Sequence, residues 1–254
     1  DWLMHTALPK LDRPLSAIIV EIEEPRHRGT LSEARLESGT DGTADSIRHE
    51  LLVAFICGIL LLPLVFNFAF YRILRERFLY WHALAVTFML VQTAVTSGII
   101  NRFATLSVET LSLLSPVSWG AGIVAAALFS ADLIEDGMLD ARHRTIMRLI
   151  APWVMFWSFY YPLASGPLRS TAASFYFASF IPVIALFVWI IAVAWLRGSR
   201  AVNFQIMAWL PIMVTGSIRI VSTIWTDLTP MELQFQQHVS IALEVVITSL
   251  GVAD

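Results

Sequence analysis

Seven apolar stretches of roughly twenty residues, separated by short turns that often carry arginine, fill the chain from residue 51 onward, and this pattern constrains the fold more than any single motif. At about 1.5 Å of helix rise per residue, each stretch matches a hydrocarbon core of about 30 Å. The stretches run over residues 50–71, 79–100, 111–134, 149–165, 171–196, 203–225 and 236–253. Pro116 falls in the third and Pro152 and Pro162 in the fourth, while Pro63, Pro182 and Pro211 interrupt the first, fifth and sixth. Such prolines are tolerated in membrane helices because neighbouring helices re-satisfy the freed backbone groups. Composition agrees: 57% of the 254 residues are hydrophobic, 15% are charged, and the mean hydropathy is +0.68. A water-solvated globular surface is seldom this apolar. The predicted fold is therefore an all-α, seven-transmembrane helix bundle.

Arginine placement predicts its orientation, because cytoplasmic loops retain positive charge. Arg72, Arg75 and Arg77 mark the first loop, Arg142, Arg144 and Arg148 the third, and Arg197 and Arg200 the fifth; the alternate loops hold Arg102 and Arg169. Eight against two, or eight against four with Arg35 and Arg48 added, puts the N-terminus outside and the C-terminus in the cytoplasm. Tyr71, Tyr80 and Trp81 then fall at the inner interface, and Tyr160, Tyr161 and Trp225 toward the outer one. Residues 1–47 read differently: acidic residues are concentrated there among Pro9, Pro14, Pro25 and the turn signals Ser38-Gly39 and Asp41-Gly42. Residues 15–23 have the β-branched character of a strand, and residues 31–36 suit a second strand or a short helix. The chain opens at Asp1 without a signal sequence and reads as an excerpt or processed form, so residues 1–47 are expected to be an extracytoplasmic segment, either the tail of an upstream sensory domain or a small hairpin resting on the membrane region, preceding a transmembrane domain at 48–254.

Whole classes of chemistry are absent from the sequence. Net charge is −3, Lys10 is the only lysine, and no basic run appears, so no nucleic-acid partner is expected. A retinal Schiff base needs a lysine within the bundle, and Lys10 lies in the solvated tail. His5, His27, His49, His82, His143 and His238 show neither H-x-x-x-H nor HExxH spacing, and Cys57 is the only cysteine. With no G-x-S-x-G elbow and no Gly-rich phosphate loop, no catalytic centre, metal or cofactor is expected in this chain.

Ionisable groups inside the spans are the candidates for function, since a charge at the bilayer centre costs on the order of 3 kcal/mol unless paired or hydrated. Arg219 lies about six residues from the outer end of the sixth span and Glu244 about eight residues into the seventh, which puts both roughly 9–12 Å deep and within reach of one another. Two readings stand: a polar cavity open to the outside, in which Arg219 meets an anionic ligand and Glu244 holds it in place, or a structural ion pair that fixes helix packing. Gln92, Thr93 and Thr96, Tyr176, and His238 and Ser240 share the outer half, either lining that cavity or knitting helices together. His49 and His238 fall near each other at the outer surface. At the inner end Asn67, His82, Asp132, Glu135 and Asp136 read as interfacial groups, with Arg72 and Arg75 as partners for Asp132.

The run at residues 49–71, the loop Arg75-Glu-Arg-Phe-Leu-Tyr-Trp-His, and the ending at residues 243–254 resemble the bacterial seven-transmembrane receptors with diverse intracellular signalling modules. Gly58 and Asn67 in the first span, Gly98 closing the second, and Glu244 followed by Gly251 and Ala253 carry the likeness, which covers residues 48–254. It implies a sensory receptor domain in the bacterial inner membrane, surrounded by membrane lipid. It also implies an unknown extracytoplasmic ligand, and a homodimer formed through a cytoplasmic diguanylate cyclase or histidine kinase absent from this chain. No ligand-binding residues transfer with the resemblance. The alternatives are a small-solute transporter, for which seven spans divide poorly into two repeats, or a structural bundle.

Overall fold

The computed structural model describes residues 41–165, 168–225 and 231–253. Those residues form eight α-helices: α1 Asp41–Leu74, α2 Arg77–Thr96, α3 Val108–Leu133, α4 Ala141–Leu163, α5 Arg169–Ala178, α6 Phe180–Leu196, α7 Ala201–Trp225 and α8 Met231–Ala253. A 3-10 turn at Ile99–Arg102 lies between α2 and α3. No strand occurs among the described residues beyond an isolated bridge between Asp136 and Leu139. The strand expected at 15–23 and the second strand or short helix expected at 31–36 lie outside the described residues.

Among the described residues, five helical stretches are long and apolar enough to cross a membrane: Ile47–Leu74, Arg77–Thr96, Val108–Leu133, Thr171–Leu196 and Ala201–Ser222. They coincide with the first, second, third, fifth and sixth predicted spans. Helices α4 and α8 have the length, 23 residues each. They are more polar: α4 opens on Arg142, His143, Arg144 and Arg148, and α8 carries Gln236, Gln237, His238 and Glu244. The outer surface is apolar where that of a water-soluble bundle would be polar, and several polar side chains lie inside. Phe55, Leu62, Val65 and Phe68 on α1, Phe156 on α4 and Leu210 on α7 face outward, while Asn67, His82, Gln92, Thr93, Ser118, Ser130, Gln205, Gln237 and His238 are buried. Helices whose polar groups point inward and whose aliphatic groups point out suit a hydrocarbon surround.

Three boundaries depart from the sequence reading. Helix α1 begins at Asp41, ahead of the expected start at residue 50; a helix continues through polar residues once a long apolar stretch has nucleated it. The fifth stretch is two helices, α5 and α6, that meet at Ser179. Pro182 cannot donate to the carbonyl one turn earlier, and proline is accommodated in a first helical turn, so the break falls just ahead of it. The Trp153 indole N–H donates to the Ser179 carbonyl at 3.0 Å and satisfies the junction. Third, α8 begins at Met231, ahead of the expected residue 236.

Helix α3 is central, packed between α2 and α4. Small residues permit the approach: a Cβ at Gly120 would meet Ser158 Oγ and Val154 of α4, and one at Gly122 would meet Met89 of α2. The apolar interior falls into two clusters. The larger joins α3 to α7 through Phe129, Met147, Val154, Phe187, Ile190 and Trp209. The smaller joins α1, α2 and α8 through Ile56, Leu60, Val86, Met89, Ile241 and Val245. Trp119, Ile123 and Ile212 touch both.

The end of the bundle carrying the α1–α2, α3–α4 and α6–α7 turns is cross-linked by charge. Arg144 donates to the carbonyls of Ala131, Ile134 (2.8 Å) and Glu135 (3.3 Å), closing the C-terminus of α3. The Glu135 carboxylate accepts from Ser199 Oγ at 2.5 Å and from the backbone N–H groups of Arg200 and Ala201 at 3.0 and 3.2 Å, capping α7. Arg197 makes a two-pronged contact with Asp140 at 2.9 and 3.0 Å. Partial burial pushes the Glu135 carboxyl up, but the Ser199 hydroxyl and these backbone donors outweigh it and leave it below its usual range. The Arg197 hydrogen bond likewise holds Asp140 low.

Candidate functional site

At the opposite end, six helices converge through a ring of polar contacts that starts on α2. Gln92 accepts from Ser118 of α3 at 2.9 Å. One turn on, Thr96 Oγ1 lies 2.9 Å from His238 Nε2 of α8. Beside His238, Gln237 accepts from Arg219 of α7 at 2.5 Å. The Arg219 guanidinium sits 5.6 Å from the centroid of Phe177 on α5. Next to Phe177, Tyr176 stacks on Tyr161 of α4 at 5.0 Å and reaches the Pro116 carbonyl of α3 at 3.4 Å. Four of the five candidate residues, Gln92, Tyr176, Arg219 and His238, thus join one network. Thr93 and Ser240 line the same level, and Thr93 Oγ1 and His238 Nδ1 are buried without a hydrogen-bond partner among the described residues. His49 stands 6.2 Å from Phe235 of α8.

Glu244, the fifth candidate, is elsewhere. Its Oε1 accepts from the Trp209 indole of α7 at 3.2 Å and from Thr248 at 3.4 Å. It lies seven residues beyond Gln237, about 10.5 Å further along α8. The expected pairing with Arg219 does not form, because α8 starts five residues earlier than the apolar pattern suggested: Glu244 is thirteen residues from the helix start at Met231, whereas Arg219 is six from the helix end at Trp225. Asp132 is also re-partnered. It accepts from Trp81 at 3.1 Å and faces Arg148 at 3.6 Å, rather than Arg72 or Arg75.

Helices α7 and α8 touch at three levels. Gln237, Glu244 and Gly251 follow one another at intervals of seven on α8, and meet Arg219, Trp209 and Phe204 of α7. A seven-residue repeat keeps one stripe facing the partner helix, as in a left-handed helix pair. At the last level the helices are as close as glycine permits: a Cβ on Gly251 would stand 2.8 Å from both Cβ and Cγ of Phe204.

A family model described as 7TM diverse intracellular signalling matches residues 49–254. The chain belongs to that family. No curated protein matches it, and no solved structure does. The 7TM diverse intracellular signalling assignment agrees with the sequence resemblance and covers α8 to the end of the chain, including the Gln237, Glu244 and Gly251 stripe.

Two buried contacts near the basic end escaped sequence reasoning as pairs. Asn67 Nδ2 lies 2.8 Å from His82 Nδ1, with the His82 ring 5.0 Å from Phe129. Gln205 donates to Ser130 at 2.5 Å, joining α7 to α3. The available signal was a polar residue on an otherwise apolar helix; the identity of the partner was not encoded locally. Among the described residues no group of three or more His, Cys, Asp or Glu side chains is placed to hold a metal.

Proposed function

We propose that the chain is the membrane-embedded sensory domain of a receptor: seven crossings, counting α4, the α5–α6 pair and α8, with the N-terminus outside and α8 leading into the cytoplasm. The arginine-rich turns all lie at one end of the bundle, which supports that orientation. The ligand or a moving ectodomain acts at the opposite end, and the output is a diguanylate cyclase or histidine kinase working as a homodimer, with no catalysis by this chain itself.

The observation that carries the reading is the three-level contact between α7 and α8. A shift of Arg219 against Gln237 at the sensory end reaches Gly251 through rigid, packed helices. Because α8 belongs to the smaller apolar cluster and α7 to the larger, movement between the clusters is movement between these helices. A signal requires that the ligand favour one of the two arrangements. Typical couplings of 1–3 kcal/mol correspond to about 5–150-fold changes.

The test is output activity of the full-length gene product carrying Arg219→Gln, with Glu244→Gln as a companion. The reading expects output to change by about fivefold or more in the Arg219→Gln protein while the amount in the membrane is unchanged. Unaltered output in both variants would remove the α7–α8 contact from the mechanism. Saturable uptake of a solute by sealed vesicles containing this chain alone would replace the receptor reading with transport.

A further inference from the structure

The basic end divides its arginines into two sets. Arg144, Arg148 and Arg197 are engaged with Asp136, Asp132 and Asp140. Arg72, Arg75 and Arg77 are exposed, and no carboxylate pairs with them among the described residues. These three fall within six positions around a connection of only two residues, Arg75 and Glu76. The turn is tight enough that Arg75 takes a left-handed backbone, φ 55°, a conformation side chains other than glycine's rarely adopt. Glu76 in the same turn is exposed and leaves a local excess of two positive charges.

What surrounds the turn identifies its partner. Tyr71, Ile73, Leu74 and Tyr80 are all exposed, and they continue the outward apolar surface of α1 into the cluster. Tyr71 and Tyr80 stand 6.2 Å apart across the turn. Tyrosine rings and aliphatic side chains at the rim of a lipid-facing helix mark the depth of the headgroups, so the three guanidiniums project at the level of the phosphates. A guanidinium offers paired N–H donors that match phosphate oxygens, and it sheds its own water more readily than an ammonium does.

We propose that the α1–α2 turn is a binding surface for anionic phospholipid headgroups, with Arg72, Arg75 and Arg77 as the phosphate donors and Tyr71 and Tyr80 as its aromatic edge. This surface is independent of the relay between α7 and α8. It would anchor the α1, α2 and α8 cluster to the membrane plane.

The experiment reads lipid retention by native mass spectrometry after reconstitution of the whole chain in mixed phosphatidylglycerol and phosphatidylcholine bilayers. The wild type is expected to retain phosphatidylglycerol over phosphatidylcholine by on the order of tenfold. Arg72→Gln/Arg75→Gln/Arg77→Gln should lose that preference, the triple lysine variant should keep part of it, and Arg102→Gln at the opposite end, where Arg102 pairs with Glu50, should leave it intact. The side chains are exposed, and retained helical circular dichroism in the triple variant confirms that the fold survives. A wild type without preference, or a triple glutamine variant that keeps it, overturns the proposal. So does loss of the preference on adding inorganic phosphate at constant ionic strength, which would mark a site for a free anion instead.

Discussion

Replacing Gly251 by alanine tests the close approach of α7 and α8 where it is tightest. The new Cβ would stand 2.8 Å from Phe204 Cβ and Cγ and 3.2 Å from Cδ1. Ordinary carbon contacts lie at about 3.5–4.0 Å, so the helices must separate by about 1 Å. Phe204 Cβ is fixed to the backbone and no rotamer change removes it. With the Trp209–Glu244 contact about 10.5 Å away as pivot, 1 Å at Gly251 is a tilt of about 5° at the end of α8. Overpacking of this kind costs about 1–3 kcal/mol, against which alanine gains about 0.5–1 kcal/mol of helix propensity over glycine. Two clashing atoms next to the backbone belong at the upper end of the first range, so the net loss is about 2 kcal/mol. Gly58 supplies the contrast: nothing lies within 4 Å of a Cβ there, and Gly58→Ala should be neutral or slightly stabilising. The assay is reversible unfolding in detergent, with a spin-label distance between the ends of α7 and α8 as structural readout. Phe204→Gly in the Gly251→Ala background should recover stability relative to the sum of the single effects, because it removes both clashing atoms. Gly251→Ala with unchanged stability and spacing, or a double variant showing no coupling, would refute the reasoning.

Three further outcomes follow from particular contacts. Glu135 and Asp140 are held below their ordinary values of 4.5 and 3.8, so the cross-linking they supply is complete above those values and lost as pH falls through the lower folded values; hydrogen exchange of the α3–α4 and α6–α7 turns should rise only below about pH 4. Glu244→Gln keeps an oxygen acceptor for Trp209 and Thr248 and should alter unfolding by less than about 0.5 kcal/mol, whereas Glu244→Leu strands the Trp209 donor and should cost about 1–3 kcal/mol. Asn67→Leu leaves His82 Nδ1 buried without its partner and should cost about 1–3 kcal/mol by chemical denaturation, while Asn67→Leu/His82→Phe should recover part of that.

The positions of the five helical stretches apolar enough to cross a membrane were legible because those stretches are long and the turns between them carry arginine, proline or glycine. Two features of the same residues misled. Depth was counted from the edge of each apolar stretch, but α8 starts in polar sequence, and this moved Glu244 a further turn and more from Arg219. The interruption at Ser179 was hidden in an unbroken apolar run, with Pro182 as its only trace. The ring of Gln92, Tyr176, Arg219 and His238 was legible as a set of polar residues at one level of the membrane. Its partners were not: Thr96 to His238 spans 142 positions and Ser199 to Glu135 spans 64, and such pairings depend on how helices are arranged around α3. Gly251 was visible as a small residue, but its closeness to Phe204 follows from the register of two antiparallel helices.

The relay requires that the end of α8 share a compartment with the arginine-rich turns, opposite the Arg219 level. Topology reporters test this directly: in cells, green fluorescent protein fused after residue 254 and alkaline phosphatase fused after residue 104, each in the intact preceding chain. The account predicts a fluorescent, phosphatase-inactive fusion at 254 and an active phosphatase at 104. An active phosphatase fused at 254 would contradict it, because α8 would then end outside the cell with no route to a cytoplasmic output.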